Sequence, residues 1–144
     1  MTDDRIENGL IISYRFLWTR KHDRGAEHGR KARLACVVVA LIGHPGDVVL
    51  FPLTTQEPEA GRLAVRMPET ERHRLRPRGT AASWILLDEG NRDVLPGSYH
   101  VEPISYDLPT HVYGAFSPPF VRVVLRTLAD ALRSGRMRTV TRER

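Results

Sequence analysis

Apolar residues recur along this chain mostly at a spacing of two, and at helical spacing only near the C-terminal end. From Leu10 to Trp18, the residues Leu10, Ile12, Tyr14, Phe16 and Trp18 fall on one side and Ser13 and Arg15 on the other. That alternation predicts a strand with one buried face. Ile11 and Leu17 interrupt the polar side, so this second face is expected to be partly covered too. An apolar run from Ala35 to Ile42, a Gly43-His44-Pro45-Gly46 turn and a return from Asp47 to Leu53 predict two antiparallel strands. Leu63, Val65 and Met67 alternate as another strand. Pro68-Glu69-Thr70-Glu71 has the proline and acids of a helix first turn, and that helix should end near Leu75. Ser83 to Asp88 is a further buried strand, residues 89–93 a polar turn, Val94 and Leu95 a short strand, and residues 98–116 loop with one edge strand. Ser117 is expected to cap a helix over residues 118–134. Val121, Val124, Leu125, Leu128 and Leu132 face its packed side, Arg122, Arg126, Asp130 and Arg133 face outward, and Gly135 ends it. Met137 to Val140 is a candidate terminal strand.

Five to seven short strands and one clear C-terminal helix fit a mainly β fold, a small antiparallel barrel with a helix packed at one end. The 144 residues form a single domain, with residues 1–8 frayed. The formal charge is +5, and Lys21 and Lys31 are the only lysines among 22 basic residues. Arginine forks onto phosphate and stacks on bases, so the bias leans toward nucleic acid, although a general compositional preference for arginine explains it equally well. The one cysteine, Cys36, has no internal partner and lies in an apolar run, which predicts a buried structural thiol and suits a reducing compartment. No run of about 18 apolar residues predicts a membrane-spanning helix, and the N-terminus lacks a signal pattern, so the expectation is a cytoplasmic protein that does not engage a membrane. The histidines lack ligand spacing, and no glycine-rich phosphate loop or Gly-x-Ser-x-Gly elbow occurs; no metal or cofactor is expected.

Candidate chemistry gathers around the predicted hairpin. The segment from Thr19 to Leu34 carries Arg20, Lys21, His22, Arg24, His28, Arg30, Lys31 and Arg33 against Asp23 and Glu27, and a polar loop of that length inside one domain is often functional. Arg33 begins one strand and Thr54 ends its partner, so pairing puts a fixed cation beside a hydroxyl, an arrangement that suits a phosphate. Tyr14, Trp18, Tyr99, Tyr106 and Tyr113 are possible stacking platforms, with Tyr14 and Trp18 assigned to the core by their alternation.

Gly9, the Gly25-Ala-Glu-His-Gly-Arg-Lys-Ala-Arg33 loop, the valine run, Pro52-Leu-Thr-Thr-Gln56 and Trp84-Ile-Leu-Leu-Asp88 together resemble the PemK/MazF toxins of type II toxin-antitoxin pairs. The resemblance covers about residues 9–95 plus a C-terminal helix. It implies an SH3-like barrel, a homodimer, a cognate antitoxin as partner, and metal-independent cleavage of single-stranded RNA. An excess of apolar surface on the first strand points to a dimer as well. By the resemblance the catalytic arginine corresponds to Arg33, with Arg30 the alternative, the catalytic hydroxyl to Thr54 and a carboxylate to Asp88. Glu27 joins them as a candidate catalytic residue, and His28, Arg30, Lys31, Thr55, Gln56 and Arg92 are the expected RNA contacts. Where the family has proline after its arginine this chain has Leu34, and where some members have a second arginine it has Leu86. These departures motivate a second reading, a catalytically degenerate module that holds RNA or protein.

Metal-free RNA cleavage needs a base for the 2′-hydroxyl, a cation on the phosphate and an acid for the leaving 5′-oxygen. Arginine stays charged and is therefore a clamp rather than a base. Glu27 or Asp88 is the candidate base, and His28 is competent as either base or acid near neutral pH.

Overall fold

The computed structural model describes residues 6–20, 32–39, 46–75, 83–95, 97, 98, 100–104 and 110–142. In chain order these form β1 (Leu10–Tyr14), β2 (Arg33–Val38), β3 (Asp47–Thr54), β4 (Ala64–Arg66), α1 (Glu69–Leu75), β5 (Trp84–Leu86), β6 (Glu89–Val94), β7 (Val112–Ala115), α2 (Pro118–Arg133) and β8 (Arg138–Thr141). The fold is mainly β with a C-terminal helix, as expected. The eight described strands run β4-β5-β3-β2-β1-β7 across the sheet, with β6 also on β3 and β8 on β6. One edge of β3 serves two partners: Asp47 to Leu50 pair with β6, while Leu53 and Thr54 pair with β5. All these pairings are antiparallel except β6 with β8, which is parallel. The chain reaches β8 only after crossing over through β7 and α2, the kind of long connection a parallel partner requires.

Both faces of β1, β2 and β3 are buried. Ile11, Cys36, Val38, Val49 and Phe51 pack on one side under Phe120, Val124 and Leu128 of α2. Leu10, Ile12, Tyr14, Ala35, Val37, Val48 and Leu50 pack on the other with Phe16 and Leu95, and Trp18 lies against them. The expected two-sided burial of the first strand therefore holds, with Ile11 fully buried within the chain itself. The extra apolar surface that pointed to a dimer is consumed here. Cys36 is buried as expected, and that burial pushes its thiol up to about 12, which leaves it unreactive.

Alpha2 needs Gly9 beneath it. Gly9 has φ +94°, and a Cβ there would stand 2.5 Å from Val121 Cγ2. Ser117 occupies the N-cap position without a side-chain cap bond, contrary to the expected capping contact. Its backbone N–H donates instead to Glu71 Oε1 of α1 at 2.6 Å. Phe120, Val124, Leu128 and Ala131 form the buried row of α2, and Leu132 is 49% exposed rather than packed. It follows Ala131 by about 100° of helical rotation, which carries it off that row.

Two further expectations are corrected. The first strand ends at Tyr14, not Trp18. Beyond it the N–H and C=O of Leu17 are both taken by the Asn91 side chain, at 2.7 and 2.8 Å, so the chain has left the ladder. Residues 89–93 are not a turn but most of β6. Two of their polar side chains are buried with partners: Asp93 accepts from Tyr14 Oη at 2.7 Å and Ser98 Oγ at 2.6 Å, and Asn91 accepts from Arg142 Nη1 at 3.0 Å. Burial beside Asp93 drives the Tyr14 phenol well above its ordinary range, so it remains a neutral donor. The predicted turn at residues 43–46 lies largely outside the described residues, as do Tyr99 and Tyr106.

Candidate functional site

Arg33 is the first residue of β2 and stands opposite Tyr14 of β1. Beta2 and β3 pair through Ala35 and Pro52, and the same register two residues further along each strand brings Arg33 level with Thr54. Thr54 closes β3 and pairs with Trp84 of β5. Its Oγ1 accepts the Gln56 N–H at 3.1 Å. That bond uses a lone pair of the hydroxyl, so the O–H remains available as a donor.

Burial lowers the pKa of Arg33, because the surroundings disfavour its charge. An arginine remains protonated despite such a shift, so a partly desolvated cation sits here. Its guanidinium carbon lies 4.9 Å from the Trp18 ring centroid. Its Nε is enclosed and, among the described residues, has no hydrogen-bond partner. The enclosed Nε is therefore a donor with unmet hydrogen-bonding capacity at the edge of a half-buried cation.

Two recesses, each of about 630 Å³, meet at a wall made by Arg33, Thr54 and Gln56. Leu34, Leu53, Ile104 and Tyr113, with Ser13, Ser83 and Thr55, line the first. Tyr113 is anchored there through its hydroxyl, which donates to the Leu75 carbonyl at 3.0 Å. The second is charged, with Arg20, Arg62, Arg138, Glu57, Glu59 and Glu89 around Trp18 and Thr19. Segment 21–31 leaves from Arg20 on the second recess and re-enters at Ala32 on the first. Glu27, His28, Arg30 and Lys31 belong to that segment and lie outside the described residues.

The remaining candidates are placed elsewhere. Asp88 lines neither recess. Its carboxylate accepts from Arg62 Nε and Nη2 at 2.8 Å each and from the Leu63 N–H at 3.1 Å. Burial alone would raise its pKa, but these bonds outweigh it and hold the carboxyl below the usual aspartate value. Arg92 is on β6, exposed, and pairs with Asp47 at 3.7 Å. Thus Arg33, Thr54, Thr55 and Gln56 come together, while Asp88 and Arg92 stand apart from them.

Reasoning from the sequence missed two participants, Arg62 and Glu89. Trp18, expected in the core, packs against it and also lines the second recess. Glu89 accepts from Thr19 N and Oγ1 at 2.9 and 3.1 Å and from Arg62 Nη2 at 2.7 Å, so it ties the start of the basic segment to the recess wall. No local pattern marks contacts so distant along the chain. Among the described residues, no group of three or more His, Cys, Asp or Glu side chains is placed to hold a metal ion, and no helix is long and apolar enough to cross a membrane.

No protein-family model and no curated protein matches the chain. Among solved structures, it is similar to an endoribonuclease in complex with its cognate antitoxin from a mycobacterial species, at 19% identity. The alignment covers 88% of this chain and 94% of that one, with a TM-score of 0.48. A likeness of that extent bears on neither the site nor the reaction.

Proposed function

We propose that this chain is a toxin-like endoribonuclease that cleaves single-stranded RNA without a metal, works in the cytoplasm as a homodimer, and is held in check by a cognate antitoxin. The observation that carries the reading is the half-buried Arg33, whose Nε has no partner among the described residues, level with the Thr54 hydroxyl at the wall between two recesses. A phosphate at that wall receives the Arg33 charge and the Thr54 hydroxyl together, and the flanking nucleotides have a recess on either side. The RNA 2′-oxygen attacks phosphorus and the bond to the 5′-oxygen breaks, leaving a 2′,3′-cyclic phosphate and a 5′-hydroxyl. Negative charge grows on the phosphate oxygens as this occurs, where a prepositioned donor is worth about 2.7–4 kcal/mol. Glu27 takes the 2′-proton and a protonated His28 gives one to the leaving oxygen; both belong to the segment whose two ends border the recesses. Thr55, Gln56, Arg30 and Lys31 contact RNA, Arg92 contributes at long range, and Asp88 acts by holding Arg62. The dimer rests on the family resemblance alone.

The second reading, an RNA-holding module that does not cut, is favoured by one observation: both oxygens of Asp88, a candidate base, are occupied by Arg62. One experiment separates the two. Purified protein is incubated with a random-sequence single-stranded RNA pool in EDTA, beside an active toxin of this kind as control. Cleavage that is lost in Arg33→Ala supports the nuclease. An uncut pool, with binding that weakens in Arg33→Ala, supports the module instead.

A further inference from the structure

We propose that Trp18 is a positioning residue for Arg33, its indole face holding the guanidinium over the recess wall without neutralising it. The inference rests on the reading that this wall receives a nucleic-acid phosphate. A carboxylate would fix an arginine more tightly, but it would also occupy the donors and cancel the charge that an anion needs. An aromatic face attracts the cation while leaving its N–H edge free. The geometry here is of that kind: the Arg33 guanidinium carbon is 4.9 Å from the Trp18 centroid, and its Nε has no partner among the described residues. Trp18 is itself held. The Phe16 ring meets it edge to face at 5.0 Å. The preceding residue, Leu17, is clamped by Asn91 through both its N–H and its C=O. The indole is thus tied to the buried interior on one side and carries the recess cation on the other.

The test is a mutant cycle read by fluorescence anisotropy with a labelled single-stranded DNA of about 12 nucleotides. DNA has no 2′-hydroxyl and stays intact throughout. Trp18→Leu should weaken binding about 10-fold, Trp18→Phe by less than about 3-fold because a ring remains, and Trp18→Leu should add nothing once Arg33→Ala is present. Equal weakening by Trp18→Leu with and without Arg33, or none in either background, overturns the proposal. If Trp18→Leu does not fold, a second measurement decides. Trp18 and Trp84 are the only tryptophans, so in Trp84→Phe protein the emission reports Trp18 alone. Arg33→Ala must then shift that emission, and an unchanged spectrum overturns the proposal. Cleavage of RNA is assayed separately: coupling without cleavage keeps the role of Trp18 and removes the nuclease.

Discussion

Asp88 grips Arg62 through both carboxylate oxygens, each hydrogen bond 2.8 Å long, across 26 residues of sequence. Arg62 in turn reaches Glu89, which holds the start of the basic segment at Thr19. Asp88→Ala should therefore act on stability before chemistry. It strips Arg62 of one of its two acids and leaves the Leu63 N–H unpaired. Arg62 is about a third exposed, so the expected loss is held to about 2 kcal/mol, or about 4–8 °C in Tm by thermal melting. Cleavage at 20 °C should stay within about tenfold of wild type, short of the deficit expected at Arg33. A loss as complete as that of Arg33→Ala, in folded protein, would return Asp88 to the reacting groups.

Arg33→Ala should lower the cleavage rate by about 10²–10³-fold, and Thr54→Ala by about 10-fold or more, with unchanged far-UV circular dichroism. Arg33 adds a thermal signature. Its removal relieves a desolvated cation that has no described anionic partner, so Arg33→Met should melt at the wild-type temperature or slightly above it. A fall of several degrees would mean that the cation is paired in the free protein.

Glu71 provides a pH test. Burial raises its pKa, but the bonds from Arg74 and Ser117 prevail and bring it below the ordinary glutamate value of 4.5. A depressed pKa contributes stability that is full above the unfolded value and is lost as pH falls through the lower folded value. Unfolding free energies from urea titrations between pH 7 and pH 2 should fall more steeply for wild type than for Glu71→Gln, with a gap of about 1–2 kcal/mol at neutral pH that closes under acid. Parallel curves would show that the carboxylate contributes nothing by its charge.

Gly9 and Gly61 share nearly the same backbone angle, φ +94° and +92°, in different surroundings. Gly61→Ala meets no atom within 4 Å and should cost about 1 kcal/mol of backbone strain alone. Gly9→Ala drives a Cβ against Val121 of α2 and should cost about 2–3 kcal/mol more. Val121→Ala should recover part of that excess in the Gly9 variant and none in the Gly61 variant, as judged by chemical denaturation.

The chain's alternation and helical periodicity were enough to place most strands, both helices and the central hairpin. Apolar spacing records which side of an element is buried, and a hairpin turn records which strand ends meet, so the placing of Arg33 and Thr54 at one end of the β2–β3 pair was legible before any coordinates. Only the tertiary structure decided the identity of β6. Its Asn91 and Asp93 have the look of a turn, and they are tolerated in a strand because Leu17, Tyr14 and Arg142 meet them from distant parts of the chain. It likewise decided that Asp88 belongs to Arg62 and that Trp18 lies under Arg33. A buried polar group is stabilised by whichever partner reaches it through space. No periodicity along the chain encodes that choice.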